Sequence, residues 1–304
     1  MKRSQGERLA HYVIQRLIGR GSSGSVYLAQ DQRDGGWVAL KLLAVPAHVG
    51  DRDDDGDDGD DDRAAAHASF LREAAITRQL RHPDIVAVLD AGEAGGALWL
   101  AMELVPGCDL MRYTLPARQL PDALVLRIGQ RIAAALAHAH AAGFVHRDVK
   151  PSNILVHWPS HSVKLGDFGI ARGADAQATR TGVVLGSPAY LAPEQLAGAM
   201  ADARTDLYAL GVTLFQLLCA RLPFTADSMG ALLHAVATQP PPMLSTLRPH
   251  LPTALCALVS ALLRKSAQER PGSAAELAAE LDHWSRSLTP RGADRRGAMS
   301  RPEV

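Results

Sequence analysis

The segment HRDVKPSN, from His146 to Asn153, and the triplet DFG at Asp167–Gly169 are the most specific patterns in this 304-residue chain. Three shorter motifs follow in order: APE at Ala192–Glu194, DLYALG with Asp206, and ERP with Arg270. So many motifs in one order along a single chain exclude a chance occurrence. The series decides the fold class, and the composition and the other motifs agree with it.

The composition is that of a globular protein. With 47% hydrophobic residues, the chain can bury a large core, and its length suggests two domains or two lobes. The formal net charge is zero, but one run, Asp51 to Arg63, holds nine Asp and two Arg. Without that run, 30 basic and 23 acidic residues remain, a net charge of +7. So small an excess is ordinary surface charge and predicts no nucleic-acid partner.

The cysteines and the apolar segments favour a cytoplasmic location. Cys108, Cys219 and Cys256 are isolated, which predicts reduced thiols and neither a disulfide framework nor a zinc site. The N-terminus lacks the apolar core of a signal peptide. The most apolar stretch, LYALGVTLFQLLCA from Leu207, is short and contains Thr and Gln, which favours a buried helix. We expect no membrane segment in this chain.

The first third of the chain has the pattern of a sheet with one helix. Residues 12–45 alternate apolar and polar positions around YVIQRLI, SVYLAQ and WVALKLLA, which predicts three antiparallel strands. A helix is predicted from Arg63 to Leu80 because the segment is rich in helix formers and Pro83 ends it. IVAVLDAGE and ALWLAMEL predict two more strands. The expected first lobe, 12–103, therefore has five strands and one helix, with an acidic insert at 50–63.

The remainder of the chain is predicted to be mainly helical, so the fold class is α+β. The expected helices run from Asp122 to Ala142, Arg204 to Ala220, Ala226 to Thr238, Thr253 to Arg264 and Ser273 to Ser287. They belong to a second lobe, 107–285. Residues 1–11 are expected to form an N-terminal extension and residues 286–304 a flexible basic tail.

A glycine-rich loop is predicted between the first two strands, at Gly19-Arg20-Gly21-Ser22-Ser23-Gly24. A dinucleotide-binding loop would open a helix, but a strand pattern follows, so that interpretation fails. A hairpin of this kind can fold its backbone N–H groups over phosphates, although an ordinary glycine-rich turn is the alternative. Lys41, in VALK of the third strand, could reach phosphate groups. Glu73 on the following helix could hold Lys41 in position. The alternative interpretation is that Glu73 lies on a solvated face of that helix.

Together these motifs resemble the eukaryotic-like (Hanks-type) protein kinases, specifically the bacterial serine/threonine kinases. The resemblance covers residues from about Tyr12 to Trp284. It implies a bilobal protein kinase fold, with a kinase domain at 12–285. It also implies transfer of the ATP γ-phosphate to Ser or Thr hydroxyls of proteins, with Mg²⁺ or Mn²⁺ as cofactor and a role in signal transduction.

The resemblance assigns roles to the residues of the two most specific motifs. Asp148 accepts the proton of the substrate hydroxyl, and Lys150 donates to the transferring phosphoryl group. Asn153 and Asp167 are the expected metal ligands, since Mg²⁺ prefers oxygen. His146 and Phe168 belong to an internal stack.

The resemblance also predicts the adenine site. Backbone groups of Glu103 and Val105 hydrogen-bond the base, and three apolar side chains enclose it, namely Val26, Ala39 and Leu155. Met102 restricts the back of this pocket. Apolar residues at such positions are otherwise plain core, so this assignment depends on the resemblance alone.

The segment between DFG and APE is expected to control activity. Thr179 and Thr181 are spaced like the phosphorylated pair of similar bacterial kinases, and Arg147 is the cation expected to receive one phosphate. The resemblance therefore predicts autophosphorylation in trans, which requires self-association; ordinary loop threonines are the alternative. Ser187 retains the hydroxyl that many relatives carry on a Thr.

Two residues depart from the family pattern near the predicted site. Thr77 replaces a common apolar packing residue one helical turn after Glu73, and is expected to loosen the active position of that helix. Gly166 removes a side chain before Asp167, and is expected to make the DFG turn easier to flip.

The acidic run DRDDDGDDGDDD, Asp51 to Asp62, has the spacing of an EF-hand calcium loop with Asp in the last position. A strand precedes it where an EF-hand needs a helix, so an extended, disordered insert is the favoured interpretation. A weaker possibility is that cations or a basic partner act through this run on the Lys41–Glu73 pair.

Two other functions compete with a protein kinase. A catalytically dead scaffold would lack a key group, yet all five are present: Lys41, Glu73, Asp148, Asn153 and Asp167. A small-molecule phosphotransferase would typically lack the APE motif and Arg147. Related kinases often carry a membrane span and an external sensor after the kinase domain, so we expect either a soluble kinase or a part of a longer one.

Overall fold

The computed structural model describes residues 4–21, 24–43, 58–168 and 188–289. In the first helix, the side chains are described from residue 67 onward. These residues form two compact units. The first comprises the described residues of 4–81 and 86–105, and the second comprises 82–85, 106–168 and 188–289. One unit is rich in sheet and the other is mainly helical, which agrees with the predicted α+β class.

A six-stranded antiparallel sheet forms the first unit. Its strands are β1 (Arg8–Leu9), β2 (Tyr12–Gly21), β3 (Gly24–Asp31), β4 (Trp37–Leu43), β5 (Val88–Ala94) and β6 (Ala97–Glu103), in the order β1-β2-β3-β4-β6-β5. The sheet has one strand more than predicted. Two residues are too few to show an alternating pattern, so β1 could not be recognised from sequence. It forms because Leu9 pairs with Tyr12 and is buried.

The two faces of this sheet carry different residues because neighbouring residues of a strand point to opposite sides. One face packs into the core of the unit. Its buried members are Leu9, Tyr12, Ile14, Tyr27, Ala29, Val38, Leu40, Leu42, Trp99 and Ala101. The other face is left with the alternate positions of the same strands, among them Val26, Ala39 and Lys41. The alternation that predicted the strands thus also sorts the candidate site residues onto one face.

Helix α1 spans Asp58–Thr77 and begins before the predicted Arg63. Residues 58–62 of the acidic run are helical, so the prediction of an extended, disordered insert is wrong for them. Carboxylates near a helix N-terminus are favoured by the helix dipole, which explains why the helix can begin there. Residues 51–57 lie outside the described residues. The helix ends at Thr77 rather than Leu80; the Thr77 side chain is buried, and its hydroxyl donates to Glu73 O at 2.8 Å.

Helices dominate the second unit, and every helix predicted there is present. They are α2 (Asp122–Ala141), α3 (Pro193–Leu196), α4 (Ala203–Cys219), α5 (Met229–Thr238), α6 (Leu244–Leu247), α7 (Thr253–Leu262) and α8 (Ala274–Ser287). Side-chain caps set three of the starts: Asp202 Oδ1 accepts from Arg204 N–H. Ser228 Oγ accepts from Ala231 N–H, and Ser273 Oγ accepts from Glu276 N–H. The Ser228 cap explains why α5 begins after the predicted Ala226. None of the helices in the described residues is long and apolar enough to cross a membrane.

A small three-stranded sheet in the second unit was not predicted. It consists of β7 (Cys108–Asp109), β8 (Ile154–His157) and β9 (Ser162–Leu165), in that order. The segment between β9 and α3 begins with Gly166, Asp167 and Phe168. This sheet therefore positions the HRD and DFG segments, because β8 follows the first and β9 precedes the second.

Candidate active site

The glycine loop is a hairpin, as predicted, with Gly21 and Gly24 paired across the ends of β2 and β3. Ser22 and Ser23 lie outside the described residues. Gly24 has a φ of +142°, and a Cβ there would lie 2.0 Å from Leu42 O, so only glycine fits. Among the described residues, a Cβ at Gly21 would meet no atom within 4 Å. The fold itself therefore requires Gly24, whereas no described atom crowds a Cβ at Gly21.

Lys41 lies on the sheet face opposite the core of the first unit. Val26 is opposite Lys41 across β3 and β4, Gly19 is opposite Val26, and Ala39 is opposite Met102. Lys41 is only 5% exposed, and the Val26 side chain is half-buried. The structure thus brings five of the predicted nucleotide-site positions onto one face of the sheet, namely Gly19, Val26, Ala39, Lys41 and Met102.

Glu73 and Glu103 lie elsewhere in the first unit. Glu73 is on α1 and half-buried, and its pairing with Lys41 stays a prediction. Glu103 ends β6; its N–H donates to Ala87 O, and its Oε1 accepts the Ala87 N–H, both at 2.9 Å. The N–H of Glu103 is therefore engaged within the protein. Val105, the other predicted adenine contact, is half-buried two residues later.

The second unit brings together the polar residues of the HRDVKPSN segment. Lys150 Nζ donates to Asp148 Oδ2 at 2.7 Å, and Asn153 Nδ2 donates to the same oxygen at 2.9 Å. Asn153 Nδ2 also donates to Asp148 O at 2.8 Å. The Asp148 side chain is about one-fifth exposed. An accessible carboxylate is therefore held in one orientation by two donors, which suits a group that accepts a proton.

His146 ties the HRD segment to the DFG segment. Its Nδ1 accepts from Asp148 N–H at 3.2 Å, so its Nε2 carries the proton and donates to Gly166 O at 3.0 Å. Burial lowers the pKa of His146, which keeps the ring neutral. The ring centroid lies 4.4 Å from that of Phe168. The predicted contact between His146 and Phe168 is thus present, and Gly166 contributes through its backbone.

Asp206 holds the backbone of the HRD segment, a role that sequence reasoning missed. This fully buried carboxylate accepts N–H bonds from His146 at 2.8 Å and Arg147 at 2.7 Å, and its Oδ2 lies 2.8 Å from His140 Nε2. Arg147 has a φ of +65°, a conformation that costs a non-glycine residue about 1 kcal/mol or more. The bond from Asp206 helps to hold it. An aspartate inside the apolar stretch DLYALG was the signal that could have revealed this role.

Asn153 and Asp167 provide oxygen ligands that suit Mg²⁺. The amide nitrogen of Asn153 is used by Asp148, so its oxygen is the atom available for a cation, and Asn153 is only 7% exposed. Asp167 is half-buried and has a φ of +57°. Among the described residues, no group of three or more His, Cys, Asp or Glu side chains forms a dedicated metal site. One amide and one carboxylate fit a Mg²⁺ that is held partly by substrate phosphates.

An ion pair anchors the APE motif. Arg270, whose side chain is fully buried, donates from two nitrogens to the two oxygens of Glu194, each at 2.7 Å. Arg270 also donates to carbonyl oxygens of Arg204 and Arg264. Burial alone would raise the pKa of Glu194, but the Arg270 hydrogen bonds outweigh burial and the pKa lies below its usual value. The APE segment is therefore fixed to the loop before α8.

Several predicted residues lie outside the described part of the chain. They are Gly169 of the DFG motif, the predicted phosphorylation sites Thr179 and Thr181, and Ser187. The roles assigned to them stay predictions.

Comparison with known proteins gives consistent matches over most of the chain. A family model described as "Protein kinase domain" matches residues 12–282. The chain is 38% identical over 288 residues to serine/threonine-protein kinase pkn3 of Myxococcus xanthus, covering 91% of this chain and 50% of that protein. It is 40% identical over 282 residues to serine/threonine-protein kinase PknJ of Mycobacterium tuberculosis, covering 90% and 45%. The chain thus spans about half the length of these curated relatives.

Two solved structures share the fold. The apo form of PpkA-294 matches with a TM-score of 0.70 and 25% identity, over 92% of this chain and 99% of that one. The crystal structure of Rad53 1-466 in complex with AMP-PNP matches with a TM-score of 0.70 and 22% identity, over 88% and 64%. At this identity, the second match supports the fold alone.

Proposed function

This chain belongs to the protein kinase domain family, and from that premise we propose that it is a serine/threonine protein kinase. It transfers the γ-phosphate of ATP to Ser or Thr hydroxyls of protein substrates. The observation that carries the proposal is the orientation of Asp148 by Lys150 and Asn153. The bacterial serine/threonine-protein kinases among its relatives support the choice of substrate.

In the proposed reaction, Asp148 accepts the proton of the substrate hydroxyl. The hydroxyl oxygen forms a bond to the γ-phosphorus while the bond from that phosphorus to the leaving oxygen of ADP breaks. Lys150 lies 2.7 Å from the Asp148 carboxylate, so its positive charge is next to the site of transfer. The ammonium can stabilise the negative charge on the transferring group. Positioning and charge therefore supply the catalysis, as phosphoryl transfer demands.

Asn153 and Asp167 would hold Mg²⁺ through their oxygens. A bound Mg²⁺ neutralises charge on the phosphates. The bond from Asn153 Nδ2 to Asp148 links the proposed metal ligand to the proposed base. One side chain therefore serves both parts of the site.

The first unit contributes groups that bind ATP in this proposal. The backbone of Gly19 to Gly24 covers the phosphates. The ammonium group of Lys41 binds the phosphates, and Glu73 holds Lys41 in position. Val26 and Ala39, on the same sheet face as Lys41, contact the adenine together with Leu155. The Val105 backbone and the carbonyl of Glu103 supply hydrogen bonds to the base, because the Glu103 N–H is engaged by Ala87.

Asp148→Asn tests the proposal, because asparagine keeps the shape of the side chain but is not a base. We expect kcat for a generic protein substrate to fall by about 10²–10⁴-fold while ATP still binds. Release of ADP, calorimetry with Mg-ATP and phosphoamino-acid analysis are the measurements. Asp282→Asn, on the exposed side of α8, is the matched control and should leave kcat unchanged.

Three outcomes would contradict the proposal. ADP formation at the same rate in the parent and in Asp148→Asn would show that Asp148 is not the general base. No ATP uptake by the parent would indicate a catalytically dead scaffold. Phosphate on a small molecule, with none on Ser or Thr, would indicate a small-molecule phosphotransferase.

A further inference from the structure

A pocket of about 490 Å³ lies beside the small sheet of the second unit. Cys108 of β7 and Val156 of β8 contribute to its wall, together with Tyr113 and Trp158. Volumes of roughly 300–1,000 Å³ are usual for pockets that bind small molecules. We call this cavity the β8 pocket.

The β8 pocket is separate from the proposed adenine contact on the same strand. Cys108 pairs with Val156, and Asp109 pairs with Leu155. Because neighbouring residues on a strand point to opposite faces, Cys108 and Val156 lie on the face opposite Leu155. Leu155 is the side chain assigned to the base, so a ligand in the β8 pocket would not occupy the proposed adenine site.

The apolar wall of the β8 pocket is preformed. Trp158 Nε1 donates to Tyr113 Oη at 2.7 Å, and the two rings meet edge to face with centroids 5.5 Å apart. Burial raises the pKa of Tyr113, so its hydroxyl stays protonated at neutral pH and can still donate its own hydrogen. Cys108 Sγ lies 3.8 Å from that hydroxyl. Trp158 and Tyr113 are each 7% exposed, so only the exposed parts of these two rigid side chains can contact a planar ring.

The polar groups of the β8 pocket favour an anion. Arg112, His157 and His161 line it, and none of its described lining residues is Asp or Glu. The Nδ1 atom of His161 is buried and has no hydrogen-bond partner in the described part of the chain. Because that nitrogen is covered by surrounding atoms, the basic and imidazole side chains that a ligand in the pocket can reach are those of Arg112 and His157. Arg112 is exposed and can meet a carboxylate with two parallel N–H groups.

We propose that the β8 pocket binds a small aromatic carboxylate, with its ring against the exposed parts of Trp158 and Tyr113 and its carboxylate near Arg112 and His157. This is a ligand site additional to the proposed kinase reaction. The rigid aromatic wall favours a ligand with a ring, and the guanidinium and imidazole groups favour a ligand with a negative charge.

Protection of Cys108 from iodoacetamide tests this binding, because Cys108 is half-buried and lines the pocket. Indole-3-acetate is the probe, and its neutral counterpart indole-3-acetamide is the ligand control. We expect saturating indole-3-acetate to slow alkylation of Cys108 about tenfold, as read by peptide mass spectrometry. Alkylation of Cys219, which is also half-buried but does not line the pocket, should keep its rate.

Arg112→Gln should weaken this protection about tenfold, the loss expected for one charge-assisted contact. Arg118→Gln is the matched control, since Arg118 is exposed and does not line the pocket. Equal protection by the acid and the amide, no protection of Cys108, or an unchanged affinity in Arg112→Gln would each overturn the proposal. Because the readout uses no ATP, its failure is distinct from a failure of the proposed kinase activity.

Discussion

Gly24 begins β3 with a φ of +142°, and a Cβ at this residue would lie 2.0 Å from Leu42 O. Gly24→Ala should therefore lower the free energy of unfolding by about 1–3 kcal/mol through strain and steric overlap. In Gly21→Ala, the new Cβ would have no described atom within 4 Å. This substitution should change the free energy of unfolding by no more than about 1 kcal/mol. Urea denaturation of both variants is the measurement; equal losses would contradict this account of Gly24.

His82 gives the protein a predictable dependence on pH. Its Nδ1 accepts from Asp84 N–H at 3.1 Å, and its ring lies 5.4 Å from that of His138. Burial lowers the pKa of His82, and nearby positive groups at Arg131 and Lys164 also lower it, although the Asp84 carboxylate raises it. The unfolded chain therefore binds this proton at a higher pH than the folded chain. Stability that is present at neutral pH is lost as the pH falls through about 6.5.

His82→Asn should make that loss shallower, since an asparagine oxygen can accept the Asp84 N–H but does not titrate. One proton corresponds to about 1.4 kcal/mol per pH unit, and the slope should fall by part of that amount. Free energies of unfolding between about pH 7 and pH 5 are the measurement. His283→Asn, on an exposed side chain, is the control. Identical slopes in the parent and His82→Asn would refute this role of His82.

At the scale of elements, the Arg270–Glu194 pair connects α3 with the loop before α8. Arg270→Ala should lower the free energy of unfolding by about 3–5 kcal/mol, because it leaves Glu194 largely buried without its cation. Arg270→Lys should also destabilise, since an ammonium cannot make two parallel bonds to a carboxylate. Thermal and urea denaturation are the measurements.

A surface ion pair on α8 provides the comparison for Arg270. Arg286 pairs with Asp282 one helical turn away, and the Arg286 side chain is 72% exposed. Arg286→Ala should therefore cost no more than about 1 kcal/mol. If Arg270→Ala lowers the free energy of unfolding as little as Arg286→Ala does, burial of the ion pair does not determine its contribution to stability.

The elements also show where sequence patterns stop being informative. Strands β2, β3, β4 and β6 are long enough for alternation to be recognised. The strands β7, β8 and β9 have two to four residues each. They form because the chain around them brings their backbone groups together. The sequence pattern does not predict the start of α1 within the acidic run, because repulsion between carboxylates favours an extended chain whereas the helix dipole favours carboxylates at a helix N-terminus.

At the scale of the whole molecule, the resemblance to bacterial serine/threonine kinases predicts phosphorylation of one copy by another. When the parent is mixed with Asp148→Asn, we expect phosphate on Thr179 or Thr181 of the inactive chain, because the inactive chain can only be a substrate. The initial rate of phosphate incorporation into the inactive chain should rise in proportion to the concentration of the parent and in proportion to that of the inactive chain. Peptide mass spectrometry after incubation with Mg-ATP is the measurement.

A double variant of Thr179 and Thr181 tests whether phosphorylation of these residues controls activity. Thr179→Ala combined with Thr181→Ala should lower turnover strongly, since Arg147 would then have no phosphate to bind. Unchanged turnover would contradict control by these residues. An inactive chain that stays unlabelled would contradict transfer between copies.

The sequence by itself predicted the family, the α+β class, the longer strands and helices, and the choice of Asp148, Lys150 and Asn153 as candidate site residues. It could do so because periodicity and motif spacing are local properties, readable along the chain. Only the tertiary structure determined which groups form hydrogen bonds to the segment that contains those residues. Asp206 and the Gly166 carbonyl bond to the HRD segment from positions distant in the chain, and the β8 pocket depends on the pairing of Cys108 with Val156. Contacts between distant residues depend on how the chain packs, and no local pattern records that packing.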